Sequence, residues 1–115
     1  MPEETVAYPW QGDTRDDCPV ADTIERLSGK WKPRLIHILS MQEQHFLELC
    51  RALPQASRKM LAIQLRELEA DGLVSRNELN DARRRVRYAL TTRGRTLCSV
   101  LDRLRAWADE GMAAA

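Results

Sequence analysis

From residue 18 to about residue 50, the apolar positions recur every three or four places, a spacing that predicts helices rather than strands. Pro19 suits the first position of a first helix, because the amide that proline lacks would have no partner there. Val20, Ile24 and Leu27 follow at helical spacing until Gly29 supplies a stop. Residues 1–17 have no such period. We therefore predict an N-terminal arm over residues 1–17 and a single domain over residues 18–112.

Two further helices are predicted before residue 54. Pro33 can open the second helix, whose apolar side chains lie nearly all round it and indicate a central place in the core. The third helix is short, because Pro54 pushes the residue before it out of helical conformation. The apolar positions concerned are Leu35, Ile36, Ile38 and Leu39 in the second helix and Phe46, Leu47 and Leu49 in the third.

Residues 57–72 predict an amphipathic helix of about four turns. Ser57 is placed to cap its N-terminus, and Gly72 is placed to end it in the left-handed conformation. Successive helical residues are about 100° apart, so the segment has two distinct sides. Met60, Leu61, Leu65 and Leu68 fall on one side, which we predict to be core. The other side carries Arg58, Lys59, Ala62, Ile63 and Arg66.

The next segment predicts a β-hairpin with a positively charged tip. Residues 73–78 and 86–90 are short runs that contain β-branched or aromatic residues, and polar turn-forming residues separate them. The connection and the start of the second run carry four arginines close together, namely Arg83, Arg84, Arg85 and Arg87.

A long final helix follows the hairpin, and Thr91 or Thr92 is placed to cap it. Its apolar residues, spaced three or four apart, form a continuous stripe that a domain of this size has little surface to cover. The stripe favours contact with a partner subunit, and packing on the chain's own core remains the alternative. It comprises Leu97, Val100, Leu101, Leu104, Trp107 and Ala108.

The order of these elements predicts the fold class. Three helices, a helix with one polar face and a basic hairpin are the parts of a mainly α (α+β) winged helix-turn-helix. We expect a two-stranded wing hairpin and a long C-terminal dimerisation helix. The major groove of B-DNA admits one α-helix, so the polar face of residues 57–72 is a candidate for contact with bases. The arginines of the hairpin would then lie against phosphates.

The distribution of charge supports a polyanion as partner. The formal net charge of the whole chain is only +1. Residues 57–95, however, hold ten basic and five acidic side chains, whereas residues 1–17 are acidic. A basic surface confined to the predicted helix and hairpin is what binding to double-stranded DNA requires. A solvated arginine-rich surface with no partner is the plainer interpretation of the same charges.

The chain resembles a known family at several motifs in the right order. These are "CPVADTIERLSGKWKPRLIHIL", "HFLELCRALPQASRKMLAIQLRELEADGLVSR" and "VRYALTTRGRTL". They are similar to the HxlR-type winged helix-turn-helix transcriptional regulators, bacterial relatives of the MarR regulators, over about residues 18–108.

This resemblance implies a homodimer that binds palindromic operator DNA through two winged helix-turn-helix heads. It assigns residues 57–71 to the recognition helix, with Ser57, Arg58, Lys59, Ala62, Ile63 and Arg66 as its DNA-facing positions, and residues 73–90 to the wing. The terminal helices would form the dimer interface, through Val20 and Ile24 of the first helix and Leu97, Val100, Leu101, Leu104 and Trp107 of the last.

Cys18 raises a redox hypothesis. Some HxlR-type proteins carry a cysteine just before the first helix and use it to sense oxidants or electrophiles. A helix N-terminus favours the reactive thiolate, whereas the adjacent Asp16 and Asp17 disfavour it. The alternative is a small, partly buried residue where the arm meets the dimer interface. Cys50 and Cys98 lie on apolar helical stretches and are predicted to be core.

Other classes of function receive little support from the sequence. His37, His45 and Cys50 match no compact metal-site spacing, and no catalytic triad, P-loop or dinucleotide-binding turn is present. We therefore expect no enzyme activity, metal or cofactor. No apolar run is long enough to span a bilayer and no secretion signal is evident, so a cytoplasmic location is expected. A dimeric winged-helix adaptor that binds proteins rather than DNA remains the competing class.

Overall fold

The computed structural model describes residues 18–79, 82 and 85–114. The predicted arm and two of the wing arginines, Arg83 and Arg84, lie outside the described residues. Within the described part of the chain, the predicted helices and the hairpin are confirmed. The helices are α1 (Pro19–Arg26), α2 (Lys32–Met41), α3 (Phe46–Ala52), α4 (Arg58–Ala70) and α5 (Thr92–Ala114), and the strands are β1 (Gln44–His45), β2 (Val74–Glu78) and β3 (Val86–Leu90).

The sheet has one strand more than the sequence predicted. Its order is β1-β3-β2, with antiparallel pairing throughout. The hairpin pairs Val74 with Leu90 and Glu78 with Val86, while β1 pairs Gln44 with Tyr88 along the other edge of β3. A strand of two polar residues has no apolar alternation to reveal it. Strand β1, which immediately precedes α3, therefore anchors the wing hairpin to the helical part of the domain.

The core lies where α2, α3 and α4 meet the sheet. Its fully buried side chains are all leucine or isoleucine, and each contributes about 1.5–3 kcal/mol relative to an exposed one. The central place predicted for α2 is confirmed by its contribution of two of them. Cys98 is also buried, and the half-buried Cys50 packs against the same cluster. The fully buried residues are Leu35, Ile36, Leu49, Leu61, Leu65 and Leu68.

The connection from α4 to the wing and the start of α5 are tied together. Gly72 adopts a φ of 76°, the left-handed conformation predicted for the end of α4. Thr91 Oγ1 donates a 2.6 Å hydrogen bond to the Gly72 carbonyl and accepts one of 3.0 Å from the Gly94 amide. Thr91 is thus the cap of α5. One threonine holds the end of α4, the base of the hairpin and the start of α5 at a single point.

Helix α1 contributes nothing to the core. None of its residues is buried, and Val20 and Ile24 are exposed. It begins at Pro19 as predicted but ends at Arg26, with Leu27 as its C-terminal cap and Gly29 at a φ of 104° two residues further on. Among the described residues, no helix is both long and apolar enough to cross a lipid bilayer.

Candidate nucleic-acid interface

Helices α3 and α4 with the turn between them form a helix-turn-helix. Helix α3 begins at Phe46, and the Glu48 carboxylate secures its start by accepting a 2.7 Å hydrogen bond from the His45 amide. After the turn at Pro54, Ser57 caps α4 as predicted, its hydroxyl oxygen accepting a 3.0 Å hydrogen bond from the Met60 amide. The capping hydroxyl satisfies one of the amides that the first turn of a helix leaves without a partner.

Three leucines fix the orientation of α4. Leu61, Leu65 and Leu68 recur at helical spacing and are all fully buried. The prediction that Met60 belongs to this core face is wrong, because its side chain is 40% exposed. Met60 lies about 100° around the helix from Leu61, beyond the edge of the buried stripe. The angular spacing, applied more strictly, would have identified it as a boundary residue.

The predicted DNA-facing residues, which we call the recognition face, are Ser57, Arg58, Lys59, Ala62, Ile63 and Arg66. Lys59, Ile63 and Arg66 lie on the side of α4 opposite the three leucines, whereas Arg58, seven residues before Leu65, lies in the first turn in line with the buried stripe. The three cationic side chains of the recognition face are exposed, as is Ser57, whereas Ala62 and Ile63 are half-buried. Within the described part of the chain, none of the three cations takes part in an ion pair. Anionic groups therefore have access to all three.

Of the four predicted wing arginines, the structure describes Arg85 and Arg87, and their surroundings differ. Arg85 is exposed next to the hairpin tip, where its carbonyl accepts a 2.7 Å hydrogen bond from the Leu79 amide. The half-buried Arg87 forms an ion pair of 3.3 Å with Glu43. That carboxylate, brought close by the pairing of β1 with β3, already partners one of the four predicted wing arginines. The local sequence pattern gave no sign of this pair because the two residues are 44 positions apart.

Cys18 lies at the start of α1. It is the N-cap residue of this helix, and its Sγ accepts a hydrogen bond of 3.4 Å from the Ala21 amide. The side chain is half-buried. The predicted placement of this thiol at a helix N-terminus is therefore what the structure has.

The residues predicted for the dimer interface divide into two groups. Leu97 and Leu101 are partly buried and pack on the chain's own core. The others are exposed, and Trp107 keeps 71% of its surface in solvent. We call this second group the open apolar face; it comprises Val20, Ile24, Val100, Leu104 and Trp107.

No metal-binding cluster accompanies this surface in residues 18–79, 82 and 85–114. No three histidine, cysteine or acidic side chains lie close enough together there to hold a metal ion. The geometry that the chain does present is a helix held by its apolar face beside a β-hairpin. This is the architecture of a winged helix-turn-helix protein.

Comparison with known proteins gives the family. The HxlR-like helix-turn-helix family model matches residues 26–115. The chain therefore belongs to the HxlR-like helix-turn-helix family, and the predicted resemblance is confirmed. It is 36% identical over 109 residues to the uncharacterised HTH-type transcriptional regulator YybR of Bacillus subtilis strain 168, covering 95% of this chain and 84% of YybR.

Solved structures agree with this assignment. The redox regulator HypR in its reduced form is similar with a TM-score of 0.77 and 36% identity, over 82% of this chain and 93% of HypR. A MarR-family transcriptional regulator from Enterococcus faecalis V583 is similar with a TM-score of 0.81 and 32% identity, over 90% and 94% of the two chains. These comparisons place the protein among the winged helix-turn-helix transcriptional regulators.

Proposed function

We propose that the protein regulates transcription as a homodimer that binds palindromic operator DNA, with α4 in the major groove and the wing on the backbone. One observation carries this proposal. Three buried leucines hold α4 from one side, while Lys59 and Arg66 stand exposed on the other and Arg58 stands exposed in the first turn. A rigidly held helix with a cationic outer face satisfies the steric and electrostatic requirements of the major groove.

Different parts of this surface would have different tasks. Lys59 projects from the first turn of α4 and Arg66 from the middle of the helix. Both would contact base edges, so they would determine sequence preference. Ser57 and Arg58 stand at the N-terminus of α4, where backbone amides and the helix dipole favour a phosphate group. Arg85 of the wing would contact the backbone and add affinity without sequence preference.

The open apolar face supports the homodimer. Exposed Trp107 and Leu104 on α5 lie in the same stripe as Leu97 and Leu101, and a tryptophan left in solvent is typical of an interface residue. Two-fold symmetry of the protein would be mirrored by a palindromic operator, because each copy of α4 would contact one half-site. The regulatory role on DNA also implies a cytoplasmic location and no catalytic activity of its own.

The proposal is tested by selecting bound sequences from random double-stranded DNA. We expect an enriched palindrome with half-sites about one helical turn apart. Lys59→Ala and Arg66→Ala should each alter the preference at defined base positions by about 1–3 kcal/mol. If no sequence is enriched and the protein elutes from heparin at low salt, the adaptor that binds proteins is favoured instead.

A redox response through Cys18 is a second part of the proposal. Its support is the placement of the Cys18 thiol at the N-terminus of α1 and the similarity to HypR, a redox regulator, in its reduced form. Mild diamide treatment should lower operator affinity in the wild-type protein. It should do the same in the control variant Cys98→Ala, which removes a buried thiol. Cys18→Ser should keep its affinity under the same treatment. Equal sensitivity of all three proteins would contradict a role for Cys18.

A further inference from the structure

Lys32 is the one charged side chain of the described residues that is buried, and it takes no part in the predicted DNA interface. Only 7% of its surface is exposed. Its ammonium group forms a 2.6 Å ion pair with Glu67 Oε1 of α4 and donates a 3.0 Å hydrogen bond to the carbonyl of Arg26, the last residue of α1. A buried charge is costly unless it is paired and hydrogen-bonded, and here both partners belong to other helices. Lys32 therefore joins the end of α1 to the recognition helix.

A second link runs beside the first. Arg26 Nη1 contacts Asp71 Oδ1, at the C-terminal end of α4, at 2.8 Å. Its Nε contacts Asp22 Oδ2, within α1, at 2.9 Å. The carboxylate of Asp22, followed by that of Asp71, raises the pKa of the Arg26 guanidinium. One guanidinium thus bridges α1 and α4 with a carboxylate at each end.

These polar links matter because apolar packing does not hold α1 in place. No residue of α1 is buried, and an open groove of about 470 Å³ with Lys32, Glu67 and Asp71 in its lining separates the helices. The residue that follows α1, Leu27, does pack against the core of the same chain, but it lies outside the helix. The position of α1 relative to α4 accordingly depends on the two polar links that cross this groove.

We propose that Arg26, Lys32, Glu67 and Asp71 form a coupling cluster that sets the orientation of α4 relative to α1. These are positioning residues, and they make DNA affinity depend on side chains outside the recognition face. Asp71 is about 20 Å along the helix axis from Arg58, so it acts through the rigidity of α4. Since α1 carries Cys18 at one end and Val20 and Ile24 of the open apolar face, the cluster would transmit changes at either feature to the DNA-binding surface. This extension rests on the proposed function.

Two matched variants test the cluster through DNA binding. Asp71→Asn and Asp22→Asn each remove one carboxylate from Arg26 and change the net charge equally, but only Asp71→Asn removes an ion pair between α1 and α4. We expect Asp71→Asn to weaken binding to the selected sequence by about threefold to tenfold, with an unchanged salt dependence. Asp22→Asn should stay within about twofold of wild type. Asp71→Glu, which can still reach Arg26, should restore affinity.

Tighter DNA binding, the opposite result, would have a simple electrostatic origin. If the carboxylates act only as negative charges near phosphates, both asparagine variants should bind DNA more tightly and to the same extent. That result, or equal weakening of both variants, would overturn the coupling cluster. Thermal unfolding of each variant shows whether a loss of affinity reflects loss of the fold instead.

A measurement without DNA separates failure of the cluster from failure of the proposed function. Hydrogen exchange of the Asp71 and Gly72 amides reports on the last turn of α4, where they bond to the Glu67 and Glu69 carbonyls. Arg26→Gln removes the α1 contact to Asp71 and should accelerate exchange at this turn of α4 by about threefold or more, whereas Asp22→Asn should not. Equal exchange in both variants would refute the coupling even if the wild-type protein bound no specific DNA.

Discussion

Replacement of Arg85 by alanine tests the assignment of the wing to the DNA backbone. The Arg85 side chain is exposed beside the hairpin tip, and Arg87, the next arginine along the chain, is already paired with Glu43. If Arg85 neutralises one phosphate in each half-site, a homodimer of Arg85→Ala forms two fewer phosphate contacts. Its affinity should fall by a similar factor on every DNA sequence, because phosphates carry no sequence information.

The magnitude follows from counterion release. Each neutralised phosphate contributes about −0.9 to the slope of log affinity against log salt concentration, so two lost contacts reduce the slope by about 1.8. Between about 50 and 200 mM salt, that difference changes the ratio of wild-type to variant affinity by about twelvefold. The variant should therefore be most impaired at low salt and should approach wild type as the salt concentration rises.

Fluorescence anisotropy with a labelled operator and a scrambled duplex, each over a salt series, provides the assay. Arg105→Ala is the matched control, because it removes the same charge from α5, where the arginine lies 3.8 Å from Asp109 in an exposed ion pair. Its slope should equal that of wild type, and sedimentation should confirm that both variants keep the same oligomeric state. An unchanged slope in Arg85→Ala, or a penalty confined to one sequence, would refute contact between this arginine and phosphate.

Three further predictions concern the scaffold and the dimer. Leu65→Ala should destabilise the fold by about 2–5 kcal/mol in urea unfolding, because it leaves a cavity in the fully buried face of α4. Gly94→Ala should cost about 1–3 kcal/mol, since a methyl group there would meet the Leu73 carbonyl oxygen. Gly111→Ala, in the same helix with open space around it, should not destabilise, and equal effects at both glycines would contradict this steric argument. Trp107→Ala should weaken dimerisation by about 2 kcal/mol, or about thirtyfold, in a sedimentation series, and an unchanged dimer would exclude this side chain from the interface.

Much of the fold follows from short-range rules that the sequence carries. Ser57 caps α4 because its hydroxyl reaches an amide only three residues away. Gly72 ends the same helix because glycine adopts a positive φ at little cost. The leucines of α4 recur with the helical period, so their burial was predictable once the helix was recognised. Each of these features depends on residues within about two turns of one another.

Only the tertiary structure decided which cationic side chains are exposed and which are paired or buried. By sequence, Arg87 is one more cation of the wing, but the pairing of β1 with β3 brings Glu43, 44 positions earlier in the chain, beside it. The sequence around Lys32 carries no sign of burial, but the meeting of α1, α2 and α4 buries its ammonium group between Arg26 and Glu67. Met60 lies outside the core because a helix packed on one side buries only a narrow stripe of its side chains. The period of the sequence thus determined the elements and the face of α4 that is core. Long-range packing decided which charged side chains remain exposed and unpaired, because a charge is neutralised by neighbours in space and not in sequence.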